Sequence, residues 1–315
     1  MTDKKIVAIG LCVLMLIILS GCGSQGNTRV TERFNPRTGY EGITLKFVEN
    51  APPDEIFEGY ETPIGIEIEN KGASDVSSGY LSWNIEKNLF SYEEKKENFD
   101  LIGKTPSNPQ GDIKMIYNYA KANFLLPEQE TAPSLIGATI CYEYETVFSS
   151  GVCLDPMPLD KKNKPCEVED ISTSGQGAPV SISSIETSMI QFDEDKVVPS
   201  FTIHLQNNGK GTIINKDAIE GACSSKKAED IFNVIYLEEA KIGADKNLEC
   251  IGLQSNQQGK EYIKLRQNED NTIKCTFQEG IRKEEGTYTA PLMIRFSYGY
   301  AETISKTIQI KSRKV

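Results

Sequence analysis

One histidine, His204, eight cysteines and two acidic clusters are the groups in this 315-residue chain whose types could carry chemistry. Nucleophilic and acid–base catalysis usually draws on histidine, or on carboxylates in unusual surroundings. His204 stands between Ile203 and Leu205 in an alternating stretch, so it is expected on the solvent face of a strand, as surface decoration rather than a catalyst. Asp193-Glu194-Asp195 and Asn268-Glu269-Asp270-Asn271 could offer oxygen ligands to calcium, yet such clusters are commonly solvated hairpin tips. Ile102-Gly103-Lys104-Thr105 mimics the end of a phosphate-binding loop, but Asn98 stands where that loop needs glycine. The six cysteines beyond residue 140 lie 12, 13, 57, 27 and 25 residues apart, which is not the spacing of a zinc finger or ribbon. No catalytic residue, metal site or cofactor is therefore expected.

Cys22 is a different case. Met1 to Lys5 is short and basic at its end, Ile6 to Leu19 is apolar apart from Gly10, and Leu19-Ser20-Gly21-Cys22 closes the run with small residues. An apolar run of 14 residues suits a signal segment, since a spanning helix needs about 20. The four residues resemble the lipobox of bacterial-type lipoproteins. That resemblance implies cleavage after residue 21, lipid on the Cys22 thiol, and a chain held at the cell membrane facing outside the cytoplasm. Retention of the segment as an uncleaved anchor would give the same topology.

Of 34 basic and 45 acidic residues, loss of Asp3, Lys4 and Lys5 leaves 32 and 44, a net charge of −12. Such a surface argues against nucleic acid, whose phosphates need Lys and Arg. The six remaining cysteines, Cys141, Cys153, Cys166, Cys223, Cys250 and Cys275, form an even set in an exported chain and read as three disulfides. Cys141–Cys153, across a hairpin centred near Val147, is the favoured pairing. Cys153–Cys166 is the competitor, and would send Cys141 to a partner in the second half.

The elements that would position these groups read as strands. Residues 22–40 lack apolar periodicity and are expected as a flexible tether after the signal peptide of residues 1–21. From Ile43 the period is two: Ile43, Leu45 and Phe47; Ile64, Ile66 and Ile68; Leu81, Trp83 and Ile85; Ile113, Met115, Tyr117 and Tyr119; Ile140, Tyr142 and Tyr144. Trp83 is expected in the core; Tyr142, Tyr144, Tyr298 and Tyr300 could form a platform for sugars or peptides, but on such strands they more often face the core with the phenol at the rim. Glu93 to Asp100 reads as a charged loop or short helix, and Ile231 to Leu237 as a buried strand.

The second half repeats the first. Phe201, Ile203 and Leu205 lead into Asn207-Asn208-Gly209 as Ile64, Ile66 and Ile68 lead into Asn70-Lys71-Gly72, an offset of 137 throughout. Tyr142-Glu143-Tyr144 and Tyr298-Gly299-Tyr300 each precede a Glu-Thr step, where a turn into a final strand is expected. The expected fold class is all-β, with antiparallel β-sandwich domains at 41–155 and 179–315 joined by a junction at 156–178.

An apolar-x-apolar-x-apolar-x-Asn-x-Gly strand near a domain's start resembles CARDB-type and related immunoglobulin-like adhesion modules. Together with the lipobox, the chain is similar to lipoproteins of archaeal cell envelopes. The resemblance implies tandem Ig-like sandwiches and a non-catalytic binding, adhesion or spacer role, the partner being an envelope protein or glycan. A solute-binding lipoprotein of a transporter and an envelope hydrolase are the alternatives. The first usually has two α/β lobes, and the second is disfavoured by the histidine count.

Overall fold

The computed structural model describes residues 34–160, 164–223, 232–266 and 271–313. Cys22, the signal segment and Asn268 to Asp270 lie outside the described residues. The described residues from Asn35 onward pack as one compact unit. The fold is an antiparallel all-β sandwich.

The first half contributes β1 (Ile43–Phe47), β2 (Glu55–Phe57), β3 (Glu61–Asn70) and β4 (Val76–Ile85). There follow β5 (Phe90–Tyr92), β6 (Lys96–Leu101), β7 (Ile113–Ala122) and a 24-residue strand, β8 (Thr131–Leu154). The second half contributes β9 (Ile171–Ser172), β10 (Val180–Gln191), β11 (Lys196–Asn207) and β12 (Thr212–Ile214). A short helix, α1 (Ile219–Ala222), precedes β13 (Val234–Ile242), β14 (Lys246–Asn247), β15 (Glu249–Ile251) and β16 (Gln254–Ser255). The chain ends with β17 (Glu261–Lys264), β18 (Thr272–Thr276), β19 (Ile281–Arg282) and the 24-residue β20 (Tyr288–Lys311).

The strands fall into two matching sandwiches. In the first, β1-β3-β7-β5 form one sheet and β6-β4-β8 belong to the other; in the second, β10-β11-β18-β15 face β17-β13-β20. Each half is thus a pair of antiparallel sheets packed face to face. The reason is visible in the burial: Ile64, Ile66 and Ile68 of β3 and Phe201, Ile203 and Leu205 of β11 all point into the core.

The last strands depart from the expected arrangement. No turn forms at Glu145-Thr146 or Glu302-Thr303. Instead β8 and β20 continue unbroken and pair antiparallel along all 24 residues of each, with Tyr142 opposite Tyr300 and Tyr144 opposite Tyr298. Each half thereby closes the other's sheet. Residues 299–311 lie where the first half's final strand would fold back, their Ile308 and Ile310 buried and their end paired in parallel with β2. Residues 147–154 do the same for the second half, burying Phe148, Val152 and Leu154. The steps lack a glycine, asparagine or proline to turn the chain, and Thr-Val-Phe favours extension. Thr146 is fully buried at the crossing, where its hydroxyl donates to the Val180 carbonyl at 2.5 Å.

The segments around the two halves are also bound in. Residues 35–40, expected within the tether, dock on the segment expected as a junction: Gly39 N–H donates to the Ser174 carbonyl at 2.9 Å, and Gly177 N–H to Gly39 at 2.8 Å. Glu93 to Asp100 leads into and holds most of β6 rather than a loop or helix, because Phe99 and Leu101 are buried and the Phe99 ring covers Gly79. The apolar run before Leu237 enters β13, whose described strand starts at Val234.

Candidate functional site

The geometry shared by the two halves is structural. The Tyr142 hydroxyl accepts from Ile43 N–H, and the Tyr298 hydroxyl from Val180 N–H, each at 3.3 Å. The Tyr144 hydroxyl accepts from Ser74 N–H at 3.3 Å and donates to Asn70 Oδ1 at 3.2 Å. The Tyr300 hydroxyl accepts from Gly211 N–H at 2.9 Å and donates to Asn207 Oδ1 at 3.1 Å. Residues 43, 70 and 74 thus correspond to 180, 207 and 211 at the offset of 137 seen in the sequence. The four tyrosines are at most 1 % exposed, and burial raises every one of their phenol pKa values, that of Tyr300 to about 12. They are core residues with satisfied hydroxyls, not a platform for ligands.

The disulfides are Cys141–Cys223, Cys153–Cys166 and Cys250–Cys275, so all six candidates are used. The favoured Cys141–Cys153 pair does not form. Both residues belong to the unbroken β8, and 12 residues of extended strand separate them by about 40 Å. Cys153–Cys166 forms instead, and Cys141 reaches the second half. It points away from the main core, where Ile214, Ile219 and Cys223 cover it in a second small cluster. Cys250 and Cys275 sit directly opposite each other on β15 and β18.

His204 projects from the non-core face of β11, its side chain 22 % exposed and its Nε2 3.2 Å from Glu186 Oε1. Asp193 to Asp195 closes the β10–β11 hairpin, with Asp193 Oδ1 accepting from Asp195 N–H at 2.8 Å. Among the described residues no group of three or more His, Cys, Asp or Glu side chains is arranged to hold a metal ion. Nor, among them, is any helix long and apolar enough to cross a membrane.

The surface feature that stands out is the outer side of β7. Ile113, Met115, Tyr117 and Tyr119, which the sequence marks as one alternating face, turn away from the core and are 40–57 % exposed. Ile116, Asn118, Ala120 and Ala122 fill the inner side. The register on β3 sets Tyr119 beside Pro63, Tyr117 beside Gly65, Met115 beside Glu67 and Ile113 beside Glu69. Gly65 makes the seat for Tyr117: a Cβ there would lie 2.6 Å from the ring and 3.0 Å from Val48. The Tyr117 hydroxyl lies 3.7 Å from Met115 Sδ. Ion pairs border the stripe, Lys46–Glu67 at 2.8 Å, Lys71–Glu69 at 3.5 Å and Lys114–Asp100 at 3.8 Å. Four such half-exposed side chains present on the order of 400 Å² of mostly apolar surface, the size of patch that often marks an interaction site. The sequence shows the period but not the side, because β7 carries residues compatible with burial on both.

The chain matches no protein-family model and no curated protein.

Proposed function

We propose that this is a lipid-anchored extracytoplasmic protein with a non-catalytic binding role, and that the outer face of β7 meets a protein partner in the envelope. The exposed stripe Ile113, Met115, Tyr117 and Tyr119, bordered by ion pairs of both signs, carries the reading. Tyrosine and methionine are enriched in the buried centres of protein interfaces, with charges at the rim. Two purely aliphatic or thioether side chains in line with the tyrosines favour protein over glycan, whose hydroxyls need polar neighbours. The three disulfides support an oxidising compartment, and hence export by way of the Leu19-Ser20-Gly21-Cys22 segment with lipid on Cys22. The all-β architecture counts against a two-lobed α/β solute receptor.

Two experiments test this. On intact cells, a photo-crosslinker at Met115 is expected to capture a defined neighbour that disappears when Tyr117→Ser and Tyr119→Ser are combined. Capture unchanged by the double substitution would place the partner elsewhere. In detergent partitioning, wild type is expected in the detergent phase and Cys22→Ser in the aqueous phase; aqueous wild type retaining residues 1–21 would remove the anchor from the proposal.

A further inference from the structure

A second site, independent of the β7 face, lies where residues 35–38 dock on the two halves. Three stretches meet there around a cleft of about 330 Å³: residues 35–38, residues 147–150 of β8, and residues 171–176. Its volume lies at the small end of the range of ligand sites. The walls are held in place before any ligand arrives. Arg37 N–H donates to Asn35 Oδ1 at 3.1 Å, and the Thr38 hydroxyl donates to the Asn35 carbonyl at 3.2 Å. Gly39 and Gly175 meet in a parallel bridge, so closely that a Cβ on Gly175 would lie 2.1 Å from the Gly39 carbonyl oxygen.

The lining has one charge and many hydroxyls. Arg37 is its only charged residue, and among the described residues the guanidinium has no ion-pair partner. The hydroxyls of Ser149, Ser150, Ser172 and Ser174 likewise make no hydrogen bond to the described residues. In a chain of net charge −11, a cleft with a free cation and no carboxylate in its lining is a local reversal of sign.

We propose that this cleft binds a saccharide that carries a carboxylate, a uronic acid unit of a glycan. The Arg37 guanidinium takes the carboxylate through paired N–H donors. The serine hydroxyls can donate or accept, so they meet sugar hydroxyls in either sense. Half-buried Val147 and Ile171 offer contact to the ring's C–H groups. A single cation matches the single charge of a carboxylate. A lining dominated by hydroxyl and amide groups suits a polyol better than the apolar side chains of a peptide.

The full-length protein, in zwitterionic detergent micelles that present no sugar, is titrated calorimetrically. The probes are oligogalacturonate, oligoglucuronate, the carboxyl-reduced neutral form of each, acetate, and the blocked peptide Val-Asp-Val-Asp-Val. At least one uronate is expected to bind saturably, with its neutral form, acetate and the peptide about tenfold weaker or silent. Arg37→Gln is expected to weaken that uronate by about tenfold, while Tyr117→Ser with Tyr119→Ser leaves it unchanged. No saturable response to either uronate would overturn the proposal. So would a neutral form, acetate or the peptide binding as tightly as the uronate, or a uronate affinity indifferent to Arg37→Gln. The probe series uses the wild-type chain, and Arg37 is exposed, so misfolding does not decide the outcome.

Discussion

Gly72 lies directly beneath the phenol of Tyr144: a Cβ at Gly72 would stand 1.9 Å from the tyrosine oxygen. Gly209 has the same relation to Tyr300, at 2.1 Å. The third residue of each Asn-x-Gly step is therefore glycine because a core hydroxyl occupies the space of a side chain. The asparagine completes the lock, Oδ1 accepting from Gly72 N–H at 3.1 Å and from Gly209 N–H at 3.2 Å in the second copy.

Gly72→Ala and Gly209→Ala are each expected to destabilise the protein by roughly 2–4 kcal/mol, through overpacking and a displaced hydroxyl. Gly221→Ala, where among the described residues no atom beyond its own helix turn lies within 4 Å of the new carbon, should stay within about 0.5 kcal/mol. Denaturant melts of the three variants check this. Equal, small losses at all three positions would contradict the packing account.

Cutting the chain between Asp160 and Cys166 should not separate its halves, even after reduction. Residues 299–311 complete the first half's sheet and residues 147–154 the second's, so a nicked protein keeps both exchanged strands. One peak in gel filtration and one cooperative unfolding transition are expected. Two folded fragments eluting apart under native reducing conditions would show that the halves stand alone.

Non-reducing peptide mapping should return Cys141–Cys223, Cys153–Cys166 and Cys250–Cys275. The first spans 82 residues, and the chain-entropy estimate gives it about 4–5 kcal/mol. Replacing Cys141 and Cys223 together by serine should accordingly cost the most of the three pairs. A Cys141–Cys153 fragment would require the turn that β8 lacks.

Asp155 predicts an acid-sensitive joint. Burial raises its pKa, but the Lys164 ammonium at 2.5 Å, the Met157 N–H and the Thr287 hydroxyl outweigh that and hold it below the usual carboxylate range. Because the folded value lies below the unfolded one, the stabilisation is present above about pH 4 and is lost as pH falls through the folded value. Asp155→Asn should cost roughly 2 kcal/mol at neutral pH and progressively less in acid. Melting temperatures of the two proteins across pH 2 to 7 should converge at the acid end; a constant gap would refute the role given to its charge.

The duplication was legible in the sequence because Asn-x-Gly is a steric and hydrogen-bonding device that leaves a local trace at a fixed offset. Strand identity was legible wherever one parity was apolar, as in Ile64, Ile66 and Ile68. The continuity of β8 through Glu145-Thr146 was not. Glu145-Thr146 reads equally as a turn or as a continuing strand, and what decides is a distant partner, β20, which nothing local to residues 140–154 encodes. The same blindness hid Cys141–Cys223, and it hid the outward direction of Tyr117 and Tyr119, where small Ala120 and Ala122 take the inner side. The cleft beside Arg37 depends on the docking of residues 35–40 against residues 174–177, which is also a tertiary fact.

The paired β8 and β20 have a mechanical consequence. Twenty-four residues of strand extend about 80 Å, and the two run antiparallel over that whole length. Tension that draws the two strands apart lengthwise loads their backbone hydrogen bonds side by side, in shear, rather than one after another as when a hairpin is unzipped. The exchanged strands thus tie the two sandwiches into one mechanical unit, and each half can be pulled free only by breaking the other's sheet.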